Sequence, residues 1–174
     1  MRPKWTSQQI EIALYDHFNP RLNLCVPNVS WGLFKYHEAD LVVLTKSNWG
    51  TEVEIKVSSA DIKKDLLKKH KHKEAIIKDL WFAVPEGLET DVNIPKDAGI
   101  IVVKRYIRKG KTKYHCQRFR MPVSNKKARK FSDEERLKLL RLGCLRLQGL
   151  KQKLNDKQTL IDELKTKIRE LENV

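Results

Sequence analysis

The stretch Thr51-Glu52-Val53-Glu54-Ile55-Lys56-Val57 decides how this chain folds. Its strict alternation puts Val53, Ile55 and Val57 on one side of a β-strand and Glu52, Glu54 and Lys56 on the other. Upstream, Ala39 to Leu44 is a second β-rich run, and the five residues Lys46-Ser47-Asn48-Trp49-Gly50 between the two suit a hairpin loop. Pairing Thr45 with Thr51 sets Asp40 opposite Lys56 and Val42 opposite Glu54, making Glu54 a diagonal neighbour of Asp40. Asp40, Glu54 and Lys56 then share one face, in the pattern Asp-x13-Glu-x-Lys. A loop shorter by one residue would turn Asp40 to the other face.

These residue types suit one kind of chemistry. Two carboxylates on adjacent strands supply hard oxygen ligands for Mg²⁺ or Mn²⁺, a cation that can bridge a scissile phosphate and acidify a bound water. The expected ligands are Asp40, Glu54 and the backbone carbonyl of Ile55 between them. Lys56 would orient the attacking water or neutralise charge growing on the phosphate. Glu11, arriving from an upstream helix, would complete the set. Glu38 and Glu52 have the parity to substitute as ligands, although partnership with surface lysines is the simpler reading for both.

The elements around this hairpin are also legible. Thr6-Ser7-Gln8-Gln9 is a capping box that opens a helix from about Ser7 to His17, burying Ile10, Ala13 and Leu14, with Trp5 and Ile10 at the staple positions and Asn19-Pro20 as its stop. Leu22 to Val26 reads as a strand or a loop, and Val29, Trp31 and Leu33 alternate as strand one. Ser58 or Ser59 caps a second helix over roughly Ala60 to Ile77, followed by a buried strand at Leu80 to Val84 ended by Pro85. Ile100 to Val103 is another buried strand, and Lys109-Gly110 is a turn before Tyr114 to Phe119. The order is αβββαβ followed by a basic hairpin at 104–120.

From Ser132 the character changes. Leu140, Leu147, Leu154, Ile161 and Ile168 recur every seven residues, with Gly143, Leu150, Lys157, Leu164 and Leu171 offset by three. These are coiled-coil positions flawed at Gly143 and Lys157. Residues 132–174 are therefore expected to form a helix that pairs with a second copy, the alternative being a helix folded back on its own domain at 1–131.

Charge points to the partner. The chain carries 36 Lys+Arg against 22 Asp+Glu, a net +14. Residues 132–174 hold 10 bases and 8 acids, so +12 belongs to the first 131 residues. Residues 98–131 contain 12 bases and no acid, interleaved with Tyr106, Tyr114 and Phe119, and a second cluster runs from Lys63 to Lys73. Such clusters are solvated surface or a phosphate-backbone site, and flanking one candidate centre they favour the latter. The expected contacts are Lys63, Lys64, Lys68 and Lys69, then Lys104, Arg105, Arg108, Lys111, Lys113, Arg118 and Arg120, with DNA as the expected partner and RNA left open. No run approaches a bilayer span, and three dispersed cysteines suit a reducing compartment, so the expected setting is cytoplasmic, away from membranes.

The order αβββαβ with Asp40 and Glu54-Ile55-Lys56 resembles the PD-(D/E)xK nucleases, the restriction-endonuclease-like superfamily. Longer strings extend the likeness over about residues 6–103: His37-Glu38-Ala39-Asp40-Leu41, Val53 to Asp61, Leu80-Trp81-Phe82-Ala83-Val84-Pro85 and Gly99-Ile100-Ile101-Val102 are similar to the MmcB-like DNA-repair branch. Ala39 stands where a proline often precedes the aspartate, and Leu66 to Lys73 replaces an aromatic-rich segment. The resemblance implies an α/β fold, a restriction-endonuclease-like core with a mixed central sheet flanked by helices, here extended by the long C-terminal helix. It implies Asp40 and Glu54 as metal ligands, Lys56 as the catalytic lysine, Glu11 as the helix acid, and Asp61 and Asp65 near the mouth of the site. The expected activity is metal-dependent hydrolysis of DNA phosphodiesters in repair, restriction or phage DNA processing, the alternative being a noncatalytic nucleic-acid-binding adaptor.

Overall fold

A computed structural model describes residues 4–30, 32–34, 37–66 and 74–172. The elements are α1 (Ser7–Phe18), β1 (Leu24–Val29), β2 (Ala39–Leu44), β3 (Gly50–Ile55), α2 (Ser59–Leu66), β4 (Ile77–Pro85), β5 (Gly99–Arg108), β6 (Lys111–Arg120) and α3 (Asp133–Glu172). The six strands form one mixed sheet in chain order. Neighbours β1 to β3 are antiparallel, β3, β4 and β5 run parallel, and β6 returns antiparallel. The fold is thus α/β with a mixed sheet and a long C-terminal helix.

Helix α1 begins as its sequence dictates. The Thr6 hydroxyl accepts from the Gln9 amide at 3.3 Å and the Gln9 side chain accepts from the Thr6 amide at 3.2 Å, satisfying two N–H groups that a helix start leaves open. Its buried stripe of Ile10, Ala13 and Leu14 covers one face of the sheet, against Leu41, Val43, Val53, Ile55, Ala83, Ile101 and Val103. The opposite face carries two separate apolar clusters. Val26, Val42 and Leu44 pack with Ile76, Phe131, Leu139 and Leu142, while Phe82, Val84, Ile100 and Val102 pack with Ile62 of α2 and with Ile94 and Ala98. Each such fully buried aliphatic or aromatic side chain contributes roughly 1.5–3 kcal/mol. Register puts the charged face of β3 between these clusters, with Val42 paired to Glu52 and Glu54 paired to Phe82.

Three expectations shift. The β2–β3 hairpin closes two residues tighter than anticipated: the Thr45 amide donates to the Trp49 carbonyl at 3.0 Å, and Leu41 pairs with Val53. Asn48 at φ 64 lets a three-residue loop make the turn. Because the slip is two residues, the facing of every side chain survives, and Asp40 stands level with Glu54 rather than Lys56. Strand β1 lies at Leu24–Val29 instead of continuing through Leu33; Val29 already pairs with Ala39 at the start of β2, and Gly32 at φ 80 lies in a turn. Trp31 is outside the described residues. The second helix is expected to reach Ile77; α2 is described over Ser59–Leu66, residues 67–73 lie outside the described residues, and Ala75 and Ile76 form a turn before Ile77 opens β4 level with Gly50. Ile76 and Ile77 are each 3 % exposed and pack in one cluster with Phe131, and Gly50 passes so close that a Cβ there would meet Phe131 at 2.5 Å and the Ile76 carbonyl at 2.6 Å.

The first turns of α3 belong to the body. Leu139 and Leu142 are buried, and the Arg146 guanidinium donates to the Asn28 carbonyl at 2.6 Å. Beyond that, Leu147, Leu150, Leu154, Ile161, Leu164, Ile168 and Leu171 are all exposed.

Candidate active site

The parallel strands β3, β4 and β5 end on one edge of the sheet, and β2, running antiparallel to β3, begins there. Asp40, Glu54 and Lys56 therefore meet at the carboxyl ends of parallel strands, where diverging chain leaves room for a ligand. Asp40 Oδ2 accepts from the Ile55 amide at 2.7 Å, taking the place a ladder carbonyl would have at the end of β3. That contact fixes the Asp40 carboxylate at the strand edge, and the Ile55 carbonyl is directed to the same edge as its amide.

Lys56 is the hub. Its ammonium contacts Glu54 Oε2, lies 3.0 Å from Asp65 Oδ1 and 4.0 Å from Asp40 Oδ2, and sits 5.7 Å from the centroid of the Phe82 ring. The side chains of Lys56, Glu54 and Asp65 are 5 %, 1 % and 5 % exposed, whereas that of Asp40 is 39 % exposed. Burial works against the charged ammonium, but Glu54 and Asp65 outweigh it and raise the pKa. Lys56 stays protonated at neutral pH. Asp65, delivered by α2, is thus a direct partner within the site rather than a residue at its mouth. Asp61 does a structural job: its Oδ2 accepts from the Val57 amide at 3.2 Å, while Ser58 Oγ accepts from the Asp61 amide at 3.2 Å and caps α2.

Two further acids flank this centre. Glu11 reaches toward Asp40 from α1; burial first, and then the Asp40 charge, push its pKa up, opposed by the Tyr15 hydroxyl that donates to Glu11 Oε1 at 3.3 Å. Tyr15 is itself raised by burial and by Glu11. Sequence reading missed it, although its spacing four residues after Glu11 on one helix was the available signal. Glu52, expected to meet surface lysines, is instead fully buried and lies 2.8 Å from His37 Nε2. Glu38 is exposed.

The basic residues divide. Lys63 and Lys64 are exposed on α2, and Lys68 and Lys69 lie outside the described residues. Arg105 lies 4.3 Å over the Trp5 ring and donates to Gln9 Oε1 at 3.2 Å. Arg120 donates to the Ala98 carbonyl at 2.9 Å and the Pro95 carbonyl at 2.6 Å, so its guanidinium ties the β4–β5 loop rather than standing open. Arg118 lies 6.0 Å from the Trp81 ring, and Lys104 pairs with Glu86 at 3.4 Å. Arg108, Lys111 and Lys113 are exposed at the far end of the β5–β6 hairpin.

Asp40, Glu54 and Asp65 gather around the Lys56 ammonium. All available donors are hard oxygens, which fits Mg²⁺ or Mn²⁺. Among the described residues no three His, Cys, Asp or Glu side chains group closely enough to hold a metal ion. The anticipated donor set, two carboxylates and a carbonyl, is not such a trio.

No family model matches this chain, and no curated protein matches it. Among solved structures it is similar to a protein of unknown function from Silicibacter pomeroyi, with a TM-score of 0.61 and 16 % identity over 88 % of this chain and 94 % of that one. That likeness extends the shared architecture over nearly the whole of both chains and concerns the fold alone. No helix among the described residues is long and apolar enough to cross a membrane.

Proposed function

We propose that this protein is a Mg²⁺- or Mn²⁺-dependent nuclease that hydrolyses DNA phosphodiesters. The observation that carries the reading is the convergence of Asp40, Glu54 and Lys56 at the carboxyl edge of the parallel strands, beside the basic hairpin. Asp40 and Glu54, with the Ile55 carbonyl, are the residues that would hold the cation. Bound there, it would supply a Lewis acid for the phosphate and a lowered pKa for water.

The chain's own groups do the rest. Asp40 is the most exposed carboxylate of the centre and so the one that meets solvent and substrate first. Lys56 keeps its proton, so it acts as a fixed positive charge toward the phosphate oxygens and not as a base. Asp65 holds that ammonium in position. Glu11, whose burial favours its protonated form, is suited to hold a proton beside Asp40. Exposed lysines and arginines draw in the phosphate backbone.

A second reading, a noncatalytic nucleic-acid-binding adaptor, is favoured by one fact: Lys56 already bridges Glu54 and Asp65 as an internal cation. Incubating single-stranded, duplex and branched DNA with and without Mg²⁺ or Mn²⁺ separates the two. The nuclease reading expects metal-dependent cleavage that Asp40→Asn and Lys56→Ala abolish while salt-sensitive binding persists. Equal cleavage by wild type and variants, or none on any substrate, overturns it. The exposed heptad seam of α3 is proposed to pair with a second copy of the chain, which would set two centres on one nucleic acid.

A further inference from the structure

The β5–β6 hairpin is a preformed ribbon of a particular size. Strand β4 ends at Pro85, paired with Val103, so β5 runs on for five residues with β6 as its strand neighbour. Trp5 covers the base of this extension, stacking on Arg105 and lying 5.8 Å from the Tyr114 ring. Past that point the eight residues Tyr106-Ile107-Arg108-Lys109-Gly110-Lys111-Thr112-Lys113 are all exposed and include four bases and no acid.

The tip is ordered by its turn. Arg108 pairs with Lys111 across two residues with positive φ, Lys109 at 51 and Gly110 at 70, the turn whose twist matches that of the flanking strands. Cross-strand partners Tyr106 with Lys113 and Arg108 with Lys111 share one face; Ile107 and Thr112 share the other. The basic face lies on the same side of the sheet as Glu54, because Glu54, Phe82 and Ile100 are successive cross-strand partners and β5 alternates from Ile100 to Arg108. At about 3.3 Å per residue, the three residues beyond Arg105 reach roughly 10 Å.

We infer that this ribbon is a duplex-DNA reader that enters the major groove and carries the helix axis across the Asp40–Glu54–Lys56 centre. The inference rests on the nuclease reading for that centre and adds its substrate class. A B-form major groove is about 12 Å wide and 8.5 Å deep and admits a two-stranded ribbon. The A-form groove of an RNA duplex is too deep and narrow for side chains to read, and a single strand has no groove. Within the groove the basic face, Arg108, Lys111 and Lys113, meets phosphates and purine N7 and O6 acceptors. The tight turn keeps the ordering cost of docking small.

The test is equilibrium binding of full-length Asp40→Asn protein, which prevents turnover, to a DNA duplex, an RNA duplex of the same sequence and the single DNA strand, over a range of salt. A preference of about tenfold or more for the DNA duplex is expected, with competition from methyl green, a major-groove ligand. Adding Arg108→Gln, Lys111→Gln and Lys113→Gln, which keep the ribbon's backbone, should erase the preference and reduce the salt slope by about 0.9 for each phosphate contact removed. Equal affinity for the RNA duplex, indifference to methyl green, or an unchanged preference in the triple variant overturns the inference. Cleavage by wild-type protein is scored separately, so a nuclease without duplex preference and a duplex binder without cleavage are distinct results.

Discussion

Replacing Lys56 with Met keeps the volume of the side chain and removes its charge from a place where Lys56, Glu54 and Asp65 are at most 5 % exposed. The variant takes from two buried carboxylates the cation that both contact. Breaking a buried ion pair from one side costs about 3–5 kcal/mol. For a chain of this length each kcal/mol moves Tm by roughly 2–4 °C, so Tm should fall by roughly 6–20 °C in a thermal melt followed by circular dichroism. Adding Glu54→Gln and Asp65→Asn to Lys56→Met should recover most of that loss, because the two buried charges go with the ammonium. Mg²⁺ should also restore the single variant, by about 2.7 kcal/mol at a hundred times its dissociation constant. The sign of the pH effect in the wild type follows from a raised lysine pKa. The contribution of Lys56 is complete below the value of an unfolded lysine, about 10.4, and fades only as pH climbs through the higher folded value. A single variant as stable as the wild type at neutral pH would refute the buried hub.

Gly99→Ala puts a methyl 2.5 Å from Trp81 Cε3 and 2.9 Å from Pro122 Cδ, which should cost about 1–3 kcal/mol in urea unfolding. Glu135, paired with Arg129 through two hydrogen bonds of 2.7 Å, has its pKa lowered to about 2, chiefly by that pairing. Its stabilisation is present above the ordinary glutamate range and lost as pH falls toward 2, so Glu135→Gln should flatten the acid limb of a Tm-against-pH curve. Lys151, Lys153, Lys165 and Lys167 flank the α3 seam at positions that would face the second helix in the proposed pairing. Self-association measured by light scattering should therefore strengthen as salt screens them and vanish in a chain ending at Arg146.

What the sequence made legible was local. The alternation through Glu54 and Lys56 set their shared face, and the Thr6–Gln9 box set the start of α1, because each rests on neighbours two or three residues away. The hairpin slip was harmless only because it was even: Asn48 accepting a positive φ shortened the loop by two. Long-range contacts left no such trace. Arg105 meets Trp5 and Gln9 across about a hundred residues, Arg120 ties a distant loop, and Glu52 finds His37, none of which has a local pattern. That the helix stops short of Ile77 has a related reason. Lysine-rich chain is compatible with a helix by propensity, yet packing of Ile76 and Ile77 against Phe131 and Gly50 decides where β4 begins. The heptad in α3 was visible as a pattern, while burial of Leu139 and Leu142, off that pattern, shows which part of the helix serves the domain.

The most direct measurement is a crystal of the full chain grown with Mn²⁺ and recorded at the manganese absorption edge. The account predicts an anomalous peak at Asp40 and Glu54, the residues that would hold the cation. A map without a peak there would contradict it.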